Sequence, residues 1–189
     1  MPDQLFLSLW LRGFQPDNTL RHFEEMLRVF PFSHLRPGIA ALKVYALEYV
    51  EPPVLEHAFS GASDVDTVIA MCREFDSPDC AYTVEGWWEL LQYGNGWHLT
   101  PSPVSLTCFG PQFENDDRDH LRIDLGPEMH YLPQPRLPES ARAVQSNLKS
   151  VLRLVGDLEK SLPISRKNLW SESHENFAAR LESELDGDL

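Results

Sequence analysis

"GWWELLQYGNGWHLTPSPV", from Gly86 to Val104, holds three of the chain's five tryptophans and a tight-turn signal. Successive side chains of a strand point to opposite faces. Trp87 and Trp88 therefore cannot share one surface if this stretch is extended. Asn95-Gly96 is the strongest short hairpin signal, because a type I′ turn needs positive φ at both central residues. The segment Cys80 to Tyr93 should thus turn and pair with "GWHLTPSPVSLTCFG". Pro101 and Pro103 have no N–H to give to a ladder, so the second strand must be bulged or lie at an edge there.

Upstream, "QLFLSLWLRG" (Gln4 to Gly13) reads as a buried strand, with Leu5, Leu7, Leu9 and Leu11 on one face and Phe6, Ser8 and Trp10 on the other. Leu20, Phe23, Leu27 and Phe30 follow at helical spacing, with Asp17 and Asn18 as capping candidates and Pro31 as the stop. "IAALKVYALEYV" (Ile39 to Val50) predicts a strand, with Lys43, Tyr45, Leu47 and Tyr49 on one face. "VLEHAFS" (Val54 to Ser60) returns antiparallel after Pro52 and Pro53. Ser63 then caps a helix striped by Val65, Val68, Ile69 and Cys72. Strand, helix, strand, strand, helix, strand is the order of a ferredoxin-like βαββαβ unit, an α+β fold in which both helices cover one face of an antiparallel sheet.

Downstream of the hairpin, "DHLRIDLG" alternates cleanly, with Leu121, Ile123 and Leu125 inward and His120, Arg122 and Asp124 outward. The Pro-rich stretch from Pro127 to Ser140 reads as a linker. It divides an antiparallel-sheet domain over residues 1–132 from a two-helix extension over residues 133–189. Ala141, Val144, Leu148, Val151, Val155, Leu158 and Leu162 mark the first of those helices; Trp170, Phe177, Leu181 and Leu185 mark the second.

The sheet face carrying Phe6, Trp10, Tyr45, Tyr49 and one of the paired tryptophans is too apolar to stand bare in water. Three occupants could cover it: the C-terminal helix pair, a second copy of the chain in a homodimer, or a ligand or partner.

The chain has 189 residues and a formal net charge of −13. Such a surface repels a phosphate backbone and an anionic membrane, and it favours a basic protein partner. No apolar run reaches the ~20 residues of a membrane span. Three cysteines without a CxxC pair argue against a disulfide framework. These features predict a cytoplasmic protein without nucleic-acid or membrane partners.

Motifs for phosphate, dinucleotide or zinc binding are absent, so no cofactor is expected. The nearest approach to catalytic chemistry is His120 with Asp124, where a histidine beside carboxylates could act as a base. Asp119, His120 and Asp124 are the candidate metal ligands, and Cys108 with His120 is a candidate nucleophile pair. Trp10, Tyr45, Tyr49 and Trp87, with Glu85 and Glu89 flanking Trp87, form the candidate ligand surface. In each case a solvated or core residue is the simpler explanation.

The expected function is a non-enzymatic interaction protein of the inhibitor or immunity type. The alternatives are a small-molecule-binding regulator using the aromatic face and an enzyme or metal site around His120 and Asp124.

Overall fold

The computed structural model describes residues 3–172 and Phe177. It places seven strands in one sheet: β1 (Gln4–Leu11), β2 (Ile39–Ala46), β3 (Leu55–Ser63), β4 (Cys80–Tyr93), β5 (Trp97–Phe109), β6 (Leu121–Pro127) and β7 (Ile164–Ser171). Their spatial order is β3-β2-β4-β5-β6-β1-β7, and every neighbouring pair is antiparallel. Three α-helices within residues 3–172 accompany it: α1 (Thr19–Val29), α2 (Val65–Arg73) and α3 (Ser140–Ser161).

The ferredoxin-like expectation is overturned. In that fold the first strand sits beside later strands of the same four-stranded unit. Here β1 pairs with β6 and β7, and three strands separate it from β2. The cause is the long hairpin. β4 and β5 pair along their whole length, from Ala81 with Phe109 to Tyr93 with Trp97, and β6 adds to β5. That meander occupies the centre of the sheet and pushes β1 to the far side. Its turn also differs from expectation. Gly94, Asn95 and Gly96 form a three-residue loop in which Gly96 takes φ +137 and Asn95 keeps a negative φ, so the turn is not type I′.

The C-terminal segment also departs from expectation. The expected second helix gives way at its start to β7, an edge strand that runs from Leu11 to Leu5 along β1. Arg166 and Lys167 keep that edge charged, a common guard against further strand pairing. Trp170 stacks on Phe6 at 4.6 Å. Leu181 and Leu185 lie outside the described residues; Phe177 is helical and reaches the main core.

Among the described residues, no helix shields the second sheet face; the expected second helix lies largely outside them. α3 lies on the same side as α1: Val151, Leu154 and Leu158 join Phe23, Met26 and Leu27 over Leu5, Leu7, Leu42, Val84, Trp88 and Ile123. The apolar stripe of α3 is rotated relative to the expected seam. Ala143, Asn147 and Leu154 are buried in place of Ala141 and Leu148. Asn147 explains the rotation. Its amide accepts from Leu91 N (2.8 Å) and donates to Leu91 O (3.0 Å) and His130 O (2.9 Å). It thereby serves the edge of β4 beyond the point where β2 ends, where a bare buried N–H or C=O costs about 1–3 kcal/mol.

Local caps follow the sequence with one shift. α2 is capped by Asp64 and not Ser63, its carboxylate accepting from Thr67 N at 2.8 Å. Among the described residues, no helix is long and apolar enough to cross a membrane.

Candidate functional site

With α1, α2 and α3 on one side, no helix among the described residues covers the other face, and it is not the greasy surface expected. Three rows of cross-strand neighbours build it. One runs Lys43, Thr83, Thr107, Arg122, Ser8 and Asn168; the next runs Ala41, Glu85, Ser105, Asp124, Phe6 and Trp170. The third places Tyr45 beside Ala81 and Phe109. Hydroxyls, charges and rings alternate along these rows; the face is packed where Ser8 bonds Asp119 and where Ala81 and Phe109 meet Phe113 and Tyr45, and it is only half-buried around Lys43, Glu85 and Ser105.

The prolines give the face its relief. The O of Trp87 points away from β5, to Ser33 N at 2.7 Å. Pro103, opposite Trp87, must therefore turn its own backbone away from β4 and toward β6. Pro101, two residues on, points the same way. Neither has an N–H to offer, and the β5–β6 ladder stops at Ser105 with Asp124. Gly126, at φ +84, bends β6 aside there. A cavity of about 530 Å³ opens in the gap.

Its walls are Trp87, Pro101, Pro103, Val104 and Pro127, and its polar lining includes Gln4, Glu85, Gln92, Ser102, Asp124 and His130. Glu85, Ser105 and Asp124 continue into a shallower cavity of about 210 Å³ that adds Phe6, Lys43, Tyr45, Tyr49, Thr107 and Arg122. Together these form one groove across the middle of the open face.

The groove brings together Tyr45, Tyr49, Glu85, Trp87 and Asp124 from the sequence-derived candidates. Tyr49 packs edge-on against Tyr45 at 4.8 Å and Phe113 at 5.2 Å. Trp87 carries the Arg36 guanidinium at 3.5 Å from its ring centroid. Trp88, one residue on, is 1% exposed in the core.

Glu85 holds Lys43 at 2.6 Å. Asp124 forms no ion pair among the described residues. One of its oxygens accepts from Gly126 N at 2.9 Å, and burial pushes its carboxyl above the usual range.

The remaining candidates are held elsewhere. Trp10 lies toward the β7 edge under Arg166, at 4.3 Å. Glu89 accepts from Ser33 Oγ and from the backbone N–H groups of His34 and Leu35, an arrangement that lowers its pKa, chiefly through Leu35, and fixes the 33–35 loop.

Asp119 is 1% exposed and saturated: Ser8 Oγ donates at 2.7 Å, Asn115 Nδ2 at 2.7 Å, and Arg122 bonds both its oxygens. It has no lone pair to spare for a metal ion.

His120 Nδ1 accepts from Leu11 N at 2.9 Å, and its ring stacks on Phe14 at 4.2 Å. Burial keeps it neutral by lowering its pKa. It lines a separate cavity of about 740 Å³ near Asp116 and Arg118, and Asp124 is not part of that lining. The nitrogen a general base would use is already engaged by the backbone.

Cys108 points into the helical side of the sheet, bonded weakly to Thr19 O at 3.8 Å, and burial drives its thiol pKa far up. His120 is not its partner. Among the described residues no group of three His, Cys, Asp or Glu side chains is placed to hold a metal ion.

Ser102, Gln92 and His130 belong to the cavity, and no pattern in the sequence singles them out. The paired prolines are the available signal, since they report where a ladder must fail. Ser102, His130 and Asp124 are the residue types of a hydrolytic triad, yet Ser102 Oγ has no hydrogen-bond partner among the described residues, so neither His130 nor Asp124 activates it.

Comparison with known proteins adds no identity. No family model matches the chain, and no match is found among curated proteins or solved structures.

Proposed function

We propose that this protein is a non-enzymatic binding protein that holds a small molecule in the groove on the open face of its sheet. The observation that carries this reading is the cavity of about 530 Å³ at the proline break. That volume lies in the range of small-molecule sites, roughly 300–1,000 Å³, and such sites combine apolar walls with a few polar groups. Trp87, Pro101 and Pro103 supply the walls; Gln92, Ser102 and Asp124 supply the polar points. The commitment of His120, Asp119 and Cys108 to structural bonds supports binding over catalysis.

A second reading is favoured by the net charge of −13. A basic protein partner, as an inhibitor or immunity-type protein would have, could dock across the same face.

The test is a metabolite screen read by ¹H–¹⁵N NMR. A true ligand shifts the Trp87 indole and the Ser105 amide and leaves the Trp88 indole in place. If no compound moves these signals, or hits move only the helical side, the reading fails.

A further inference from the structure

We propose that the cavity binds a small organic cation, an amidinium, guanidinium or ammonium group on an apolar body, with its charge against Asp124 and its body against Trp87, Pro101 and Pro103. This rests on the groove being the binding site, and it goes further by naming the ligand class.

Four observations carry it. Asp124 is the groove carboxylate without a cation: Lys43 is engaged by Glu85 and Glu56, and Arg122 by Asp117 and Asp119. Among the described residues, no lysine or arginine lines the larger cavity. Ser102 is 1% exposed, lines that cavity, and has a hydroxyl with no partner among the described residues. A buried hydroxyl without a protein partner is a hydrogen-bonding point for whatever occupies the cavity, water or ligand. A ligand N–H donor would satisfy Ser102 Oγ and an Asp124 oxygen together. Finally, Trp87 and the two prolines offer an apolar wall, and an indole face attracts cations. The indole already does so on one flank with Arg36, which does not line the cavity.

Glu85 and Asp124 stand on either side of Ser105 in one cross-strand row. Two strand spacings put their backbones about 10 Å apart. A planar cation over Ser105 would face both carboxylates. An anionic ligand would meet both as repulsions.

Three isosteric probes separate the possibilities: benzamidine, benzamide and benzoate, titrated by calorimetry into the full-length protein. Benzamidine should bind at least about tenfold more tightly than benzamide, the scale of one charge-assisted hydrogen bond; benzoate should not bind. Asp124→Asn should erase the preference for benzamidine over benzamide. This variant keeps the acceptor oxygen facing Gly126 N. It also removes a carboxyl whose raised pKa costs stability above that pKa, so it should melt no lower than the parent at pH 7.

If benzamide or benzoate binds as well as benzamidine and shifts the Trp87 indole, the cation assignment falls and the groove survives. If none of the three binds, the cation assignment falls, and the groove is then judged by the metabolite screen alone. If benzamidine binding survives Asp124→Asn unchanged, it reflects diffuse attraction to the acidic protein, and the inference is wrong.

Discussion

Trp88→Ala should lower the melting temperature by about 6–20 °C, whereas Trp87→Ala should lower it by no more than a few degrees. Trp88 is 1% exposed and packs against Phe30 at 5.9 Å and Tyr131 at 6.4 Å between the ring centroids. It sits where the hairpin meets α1 and α3. Truncating a buried tryptophan costs about 3–5 kcal/mol through lost transfer energy and the cavity left behind. For a chain of this size each kcal/mol moves the midpoint by about 2–4 °C.

Trp87 is half-buried on the open face, and its exposed stacking with Arg36 contributes about 0.5–1 kcal/mol. Trp88→Phe should cost less than the lost volume suggests, because the indole N–H of Trp88 has no partner among the described residues and its removal relieves an unmet donor. Thermal denaturation by circular dichroism checks all three. Equal losses for Trp87→Ala and Trp88→Ala would contradict the assignment of faces.

Removing Asp119 is the other large effect. Its carboxylate joins four pieces of chain. Ser8 brings β1, Arg122 brings β6, Asn115 brings the loop before it, and Trp170 Nε1 donates to Ser8 Oγ at 3.0 Å from β7. Asp119→Ala strands the Arg122 guanidinium, which is only 20% exposed, with Asp117 as its remaining counter-ion. Breaking one partner of a buried pair costs about 3–5 kcal/mol, mostly from the charge left behind.

Replacing both groups should recover much of that loss. Asp119→Ala combined with Arg122→Met is expected to be more stable than Asp119→Ala alone, as measured by urea denaturation. A double variant at least as unstable as the sum of the single ones would show that the pair is not coupled in this way.

What can be read from the sequence is whatever a period of two or 3.6 encodes. The alternation of Leu5, Leu7 and Leu9, of Leu121, Ile123 and Leu125, and of Trp87 against Trp88 all reports which side of a strand a residue takes. Pairing partners are not encoded that way. Nothing local in Gln4–Leu11 says that β1 will meet Ile164–Ser171, more than 150 residues away.

β7 eludes a local reading because Asn168, Leu169 and Trp170 fit the start of an amphipathic helix as well as an edge strand. The open face is less greasy than its aromatic residues alone suggest, because Ser8, Lys43, Thr83, Ser105 and Thr107 share it. The groove itself needs two facts from distant positions: prolines at 101 and 103, and a glycine at 126 opposite them. Each is visible alone, but their meeting depends on the β5–β6 register.

One side of this sheet lies beneath α1, α2 and α3, while the other is open at the Glu85–Ser105–Asp124 row. Alkylation of Ser105→Cys probes this arrangement, because Cys72, Cys80 and Cys108 are all buried and give a silent background. Iodoacetamide, followed by intact mass, should add a single label to the folded variant while the parent protein takes up none. An introduced thiol as slow to react as the three native ones would mean that this face is covered, and the groove with it.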